Sequence, residues 1–500
     1  MTILAALREG RHSAIAAVAA GLVAIALVFD IDTIANVIHD YAYTPTSAHA
    51  EPQCMRLRGP IGAEDAVVLT GGCAAEPCSP VIIMGELDAG VHEFTNLKQH
   101  GTAASTSPRG TLWALDRLDL PTPRLQPLKV PLPAGVTLHT HGLGLHEDIL
   151  FAVNHAFKGG GERIERWRIE RLPGHLGHTT VGPPVALTHL GSVTGHDGDD
   201  DLGTGAWSFT VQLNAAINDI APVGPHEWFM TQFLDAPASL EGGGTPGTPH
   251  GYVPAPEPSA VADWARSCFA RWLGDEMIGA LLLPPLRRTR IWHCHCAGLP
   301  GPAECPRTVC EPVGPPSTKW NGITWRQSNS SVAAADGRGA GFLYVNDIFQ
   351  RHVVEFAVGH LGRGAQLERR RTWRSSFLLD NVHLDAKGEG LWLGGLSPTK
   401  ALLLDGIGAM RERAATARRA ALEAGLPTPR PHLHLRPNGV DAPPEPPMPA
   451  GALHIDLASG AMTTRLLQSS HLASVSWSHQ VGGRLFLGSP WDDGVLVCDI

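Results

Sequence analysis

The sequence is poor in charge and in aromatic surface: Asp, Glu, Lys and Arg make up 17 % of its 500 residues, Phe, Trp and Tyr 6 %, and only 4 residues are Tyr. What charge there is leans acidic, with 39 Lys plus Arg against 48 Asp plus Glu, a net of −9, and no basic cluster dominates. A nucleic-acid partner, which needs a positive footprint for phosphate, is therefore not expected. Three catalytic signatures are also missing. There is no Gly-x-Ser-x-Gly elbow, no His-Glu-x-x-His and no phosphate-binding P-loop, so these motif-borne routes to hydrolysis are excluded. Disorder is excluded from the other side, because 43 % apolar residues suffice to bury a large core. Glycine and proline are not scarce, at 56 and 41 residues. That turn-rich composition favours many short strands over a helical bundle. Length alone would allow three domains of about 150 residues.

Residues 13–29 (SAIAAVAAGLVAIALVF) carry no charge; Arg8 and Arg11 precede them, and Asp30 and Asp32 follow. The charge bias predicts a cytosolic N-terminus (residues 1–12) and a signal-anchor or transmembrane segment over 13–29. A stem over 30–53 would follow, then a lumenal or extracellular body from 54 to 500. A cleaved signal remains the alternative, which would make the protein secreted.

In such a compartment disulfides are the default use of the nine cysteines. Cys54 opens the folded region and Cys498 is third from the end, so a bond between them would close the chain into a ring. Cys294, Cys296, Cys305 and Cys310 lie in the segment IWHCHCAGLPGPAECPRTVC. A cross-braced β-hairpin is the favoured reading; a zinc site that adds His293 and His295 to the thiols is the sharper one. An odd number of thiols leaves one over, and Cys268 is the candidate. Asn329-Ser330-Ser331 is a glycosylation sequon.

Six segments share one form, a turn followed by an apolar run and then small or polar residues: AVVLTGG from Ala66, ILFAVNH from Ile149, EWFMTQF from Glu227, GFLYVND from Gly341, GLWLGGL from Gly390 and RLFLGSP from Arg484. Six buried strands in radial repetition imply an all-β, six-bladed β-propeller. A second series precedes them: Glu64-Asp65-Ala66, His141-Gly142-Leu143, Asn218-Asp219-Ile220, Asn321-Gly322-Ile323, Asp380-Asn381-Val382 and Ser470-His471-Leu472. Singly these are weak, since Asn321-Gly322 alone would read as a tight turn. If each blade's innermost strand begins at its triplet, the polar residues converge on the central channel. Oxygen donors converging there form the ligand set of a hard cation such as calcium.

These residues resemble the paraoxonase/arylesterase family from Cys54 to the C-terminus. The motifs that carry the resemblance are Cys54 with Glu64-Asp65, His139-Thr140-His141-Gly142, Val153-Asn154-His155, Ile217-Asn218-Asp219-Ile220 with Val223-Gly224-Pro225, and Asn321-Gly322-Ile323. Leu379-Asp380-Asn381 with Leu391-Trp392, and Leu472-Ala473-Ser474-Val475 before Cys498, complete them. The resemblance implies two calcium ions. Glu64, Asn218, Asn321, Asp380 and Asn381 would hold a catalytic Ca2+; Asp65, Asp219 and the carbonyl of Leu143 would hold a structural one. His141 and His155 would be the catalytic histidine pair, and Cys54–Cys498 the ring-closing disulfide. The implied activity is arylesterase and lactonase, with phosphotriesters as side substrates.

The chain departs from the family's pattern in two respects. After Thr231 it has Gln232, Phe233 and Leu234 where the family shows polar pocket residues, which predicts a more apolar pocket. Insertions at about 235–285 and 404–449 lengthen it. The first predicts an amphipathic helix near the active-site face, over 259–283, facing either the propeller or a membrane. Two rival readings stay open: a strictosidine-synthase-like propeller enzyme, and a calcium-stabilised scaffold without catalysis.

Overall fold

The computed structural model describes residues 53–71, 79–86, 110–155, 163–172, 182–194, 217–232, 289–296, 308–317, 319–328, 340–348, 350–396, 450–468, 472, 474–490 and 493–500. They form twenty-four strands in six sheets of four. The first strand, β1 (Cys54–Ile61), belongs to the last sheet. Blade one is β2 (Ala63–Leu69), β3 (Val81–Glu86), β4 (Leu112–Asp116) and β5 (Arg124–Pro127); blade two is β6 (Thr140–His146), β7 (Ile149–Asn154), β8 (Arg163–Arg171) and β9 (Val185–Thr194). Blade three is β10 (Ile217–Gly224), β11 (Glu227–Gln232), β12 (Thr289–Cys296) and β13 (Thr308–Ser317); blade four is β14 (Trp320–Gln327), β15 (Gly341–Asp347), β16 (His352–Val358) and β17 (Leu367–Arg374). Blade five is β18 (Leu378–Leu384), β19 (Gly390–Leu396), β20 (Ala450–Asp456) and β21 (Met462–Gln468). Blade six is β22 (Trp477–Val481), β23 (Arg484–Gly488) and β24 (Asp493–Asp499), completed by β1.

Each blade's first strand touches the first strand of the next, and β22 returns to β2, so the sheets close into a ring. This is the six-bladed propeller expected from the repeat. Its core lies between blades. Phe151 of blade two and Trp228 of blade three meet with ring centroids 5.8 Å apart, inside one continuous buried cluster. A strand sandwiched between neighbours on both faces reads as an apolar run without alternation. That is why Ile149–Asn154 and Gly390–Leu396 are buried at every position.

The repeat is phased differently in one blade. Five of the six apolar runs are second strands (β7, β11, β15, β19, β23), but AVVLTGG belongs to the inner strand β2, and the second strand of blade one is VIIMGE. There the apolar run follows Asp65 directly, so inner and second strands look alike in sequence.

The ring is closed by β1 on β24, with Cys54 opposite Cys498 in register and joined to it by a disulfide. Cys294 and Cys310, opposite each other on β12 and β13, form a second disulfide, so the cross-braced hairpin is correct. Among the described residues, Cys294 and Cys296 do not join His293 and His295 in one zinc site, because alternation along β12 sends successive side chains to opposite faces. Among the described residues no helix is long and apolar enough to cross a membrane. The anchor (13–29), the helix at 259–283, the 404–449 insertion, Cys268, Phe233, Leu234 and Asn329 lie outside the described residues. The strand ends from which the two insertions leave, Gln232 and Leu396, pair with Ile217 and Leu378 at the starts of inner strands.

Candidate metal and catalytic centre

Five inner strands share an irregularity. Pairing with the second strand shifts register between Ala63 and Ala66, Thr140 and Leu143, Ile217 and Ile220, Trp320 and Ile323, and Leu379 and Val382. These are the five triplets that begin with Glu64, His141, Asn218, Asn321 and Asp380. A bulge places two residues opposite one and re-aims a side chain that regular alternation would send between blades. The sixth strand, β22, pairs without a shift and begins at Trp477, after the Ser470 triplet. Of that triplet only Leu472 is among the described residues.

The small second residue of two triplets is dictated by the neighbouring blade. A Cβ on Gly322 would lie 2.6 Å from the carbonyl oxygen of Asp380 and 2.7 Å from Cα of Asn381; one on Gly142 would lie 2.6 Å from the carbonyl oxygen of Asn218. Inner strands approach this closely only where a side chain is absent. Asn321-Gly322 is thus strand, not a turn.

The polar residues brought together are Glu64, Asp65, His141, Asn218, Asp219, Asn321, Asp380 and Asn381, none more than 6 % exposed. Asn381 Nδ2 donates to the carbonyl of Glu64 at 2.8 Å and to its Oε2 at 3.3 Å. Asn218 Nδ2 lies 3.2 Å from His141 Nε2, and the Asn321 side chain bonds the Asp380 carboxyl. In all three amides Oδ1 is buried and has no hydrogen-bond partner. An unsatisfied buried acceptor costs about 1–3 kcal/mol, so three at one centre call for a ligand.

The carboxylates report the same need. Burial pushes Glu64 well above the ordinary carboxylate range, and Asp65 pushes it further. Asp380 is raised well above the ordinary range by burial and then by Glu64. Asp219 is raised by burial and then by Asp65, against the pull of two backbone N–H groups. The residues fit a hard dication: two carboxylates and three amide oxygens from Glu64, Asn218, Asn321, Asp380 and Asn381 balance a charge of +2 with oxygen donors alone. Asp65 and Asp219 are held differently. Asp65 accepts the N–H of Ala66 (2.8 Å) and of Leu143 (2.6 Å), and Asp219 those of Ile220 (2.7 Å) and Ile323 (2.8 Å), which stitches blades one to two and three to four.

His141 Nδ1 lies 2.8 Å from His155 Nε2, and His141 Nε2 lies 3.2 Å from Glu64 Oε1. His155 is 1 % exposed. The histidine pair therefore stands beside the carboxylate and amide cluster, as the resemblance implied. Gln232 is nearly buried and its Oε1 accepts the indole N–H of Trp292 at 3.2 Å. Thr231 Oγ1 bonds the carbonyl of Asn321 and the N–H of Asp219, fixing blade three on blade four.

Two groups escaped sequence reasoning. Asn346, at the end of β15, donates to the carbonyl of Asp380 and has a buried Oδ1 without a partner. Its only sequence signal is a polar residue closing an apolar strand, which Asn154 shares. His383 Nε2 lies 3.0 Å from Asp65 Oδ1, and its ring lies against that of His479, centroids 4.3 Å apart and planes tilted by 39°. Both histidines line a cavity of 270 Å³ at the opposite end of the channel, with Val67, Leu145, Pro222 and Trp325.

No protein-family model matches the chain, and no curated protein does. Among solved structures it is similar to a protein of Bacteroides fragilis assigned provisionally as a 6-phosphogluconolactonase, at 10 % identity over 89 % of each chain and a TM-score of 0.34. A protein of Bacteroides uniformis with the same provisional assignment aligns at 12 % identity over 77 % of this chain and 87 % of that one, with a TM-score of 0.33. A chain of the mitotic checkpoint complex aligns at 8 % identity over 92 % and 98 %, with a TM-score of 0.35. Overlap this low says nothing of activity, and the propeller rests on the strand pairing itself.

Proposed function

We propose that the chain is a calcium-dependent hydrolase of carboxylic esters or lactones. The observation that carries this reading is the trio of buried, partnerless amide oxygens on Asn218, Asn321 and Asn381 among acidic residues, beside a histidine pair. Glu64, Asn218, Asn321, Asp380 and Asn381 would hold the first Ca2+, and Asp65, Asp219 and the carbonyl of Leu143 a second. When bound, the first ion supplies a Lewis acid for the substrate carbonyl oxygen.

The rest of the mechanism belongs to the chain. In the reactive tautomer His141 would donate Nδ1–H to His155 Nε2, which leaves the Nε2 lone pair facing the side chains of Asn218 and Glu64. His141 accepts a proton from water at Nε2, and the hydroxide attacks the carbonyl carbon. The imidazolium then returns the proton to the leaving alkoxide or phenoxide as the C–O bond breaks. Histidine suits both transfers near neutral pH. Phosphotriesters, with a similar polarised oxygen, would be side substrates. Residues 13–29 would anchor the chain in a membrane with the propeller on the lumenal or extracellular side. The disulfide that joins the two ends of the ring and the one across blade three accord with an oxidising compartment.

The test is hydrolysis of phenyl acetate and of γ- and δ-lactones by the purified chain, with and without a calcium chelator. Turnover lost on chelation, together with a roughly 10²–10⁴-fold drop in kcat for His141→Gln at unchanged calcium content, is expected. Folded, calcium-loaded protein that turns over none of these substrates would sink the hydrolase reading and leave a calcium-stabilised scaffold.

A further inference from the structure

Blade three carries a second group of ligating side chains that the central site does not use. Along β12 the residues alternate His293, Cys294, His295, Cys296. Cys294 joins Cys310 in the core shared with blade two, so His293 and His295 share the opposite face, toward blade four. In register, His293 stands opposite Glu311 on β13, and His295 opposite Glu227 on β11. One donor atom from each of His293, His295 and Glu311 lies within 4.8 Å of the others.

Two independent details point to a ligand. His293 is fully buried, its Nε2 is 2.8 Å from Glu227 Oε1, and its Nδ1 has no hydrogen-bond partner; His295 Nδ1 is likewise buried and unpartnered. A carboxylate that accepts Nε2–H keeps the proton there and leaves the Nδ1 lone pair free, the arrangement by which carboxylates orient metal-bound imidazoles. Second, both carboxylates are held from blade four: Gly362 N–H donates to Glu227 Oε1 at 2.6 Å, and Gly364 N–H donates to Glu311 Oε1. Arg363 is the cation facing the cluster.

We propose that His293, His295 and Glu311 form a metal site for a dication of the zinc class, oriented by Glu227 and clamping blade three to the β16–β17 loop of blade four. Nitrogen donors and a low ligand number favour zinc, cobalt or nickel over calcium, which takes six to eight oxygens. Two carboxylates close by balance the charge. The disulfide on the reverse face holds the β12–β13 register that places His293 against Glu311.

The test uses the full chain, stripped of metal and then saturated with Ca2+ so that the central oxygen site is filled. Titration with Co2+ should produce one equivalent of visible d–d absorption, displaced by Zn2+ and not by further Ca2+, and Zn2+ should raise Tm. His295→Gln and Glu311→Gln, both at half-buried positions, should each abolish the band. Glu227→Gln should weaken Co2+ binding roughly 10–100-fold. Glu64→Gln, in the central site, should leave the band intact. Absence of the band from the wild-type chain, or its persistence in both ligand variants with native circular dichroism, would overturn the proposal.

Discussion

At the scale of the residue, the central site concentrates like charge that the fold alone does not relieve. Glu64, Asp219 and Asp380 are buried within a few side chains of one another, and each is pushed above the ordinary carboxylate range. The sign of the consequence follows from proton counting. With calcium removed, the folded chain keeps protons on these groups above pH ~4, where the unfolded chain has released them, so stability falls as pH rises through the raised values. The Tm of chelated protein should therefore fall further below that of calcium-saturated protein at pH 8 than at pH 5. Glu64→Gln deletes one charge from the cluster: it should raise the Tm of chelated protein at pH 8 while weakening calcium binding at least tenfold. A melt in which Glu64→Gln lowers the chelated Tm would show that Glu64 stabilises the fold rather than awaiting a cation.

At the scale of the element, the inner strand matters for its bulge. Five strands bulge at the same place, and the residues there could be found in the sequence because they recur as triplets of a polar residue, a glycine or second polar residue, and an apolar one. Their geometry could not be found there. An Asn-Gly pair is locally a turn signal, and only the backbone of Asp380 and Asn381 behind Gly322 shows why glycine stands in a strand. Gly322→Ala forces a methyl group against backbone that cannot step aside, at a cost of about 1–3 kcal/mol. Because those two neighbours are themselves metal ligands in the proposed site, calcium affinity should fall together with stability. A denaturant titration with and without calcium separates the two effects, and an unchanged midpoint in both would refute the close approach. The second-strand residue Asn346 was missed for a related reason: its partner, the carbonyl of Asp380, lies in the next blade.

At the scale of the whole molecule, the ring depends on a single strand from the N-terminal side, β1, seated on β24. The Cys54–Cys498 disulfide spans 444 residues, so it restricts the unfolded chain strongly. Replacing both cysteines by serine should cost about 2–5 kcal/mol in non-reducing denaturant melts, with the calcium-dependent gain in Tm preserved. A double variant as stable as the native chain would mean that β1 pairing alone closes the ring.

Much of this architecture was legible in the amino-acid order. The apolar runs, their six-fold recurrence, the terminal cysteines and five polar triplets each state a local preference or a short-range pattern, and such patterns are written residue by residue. Even the histidines and cysteines of β12 could be listed. What the linear order could not decide is which face each side chain takes and which distant backbone it meets. The phase of blade one, the regular pairing of β22 where five inner strands bulge, the separation of imidazoles from thiols on β12, and the unpartnered oxygens of Asn218, Asn321 and Asn381 all depend on register between strands and on contact between blades. Those are properties of the closed ring. Burial and hydrogen-bond satisfaction are defined only once chain segments far apart in sequence have been brought together.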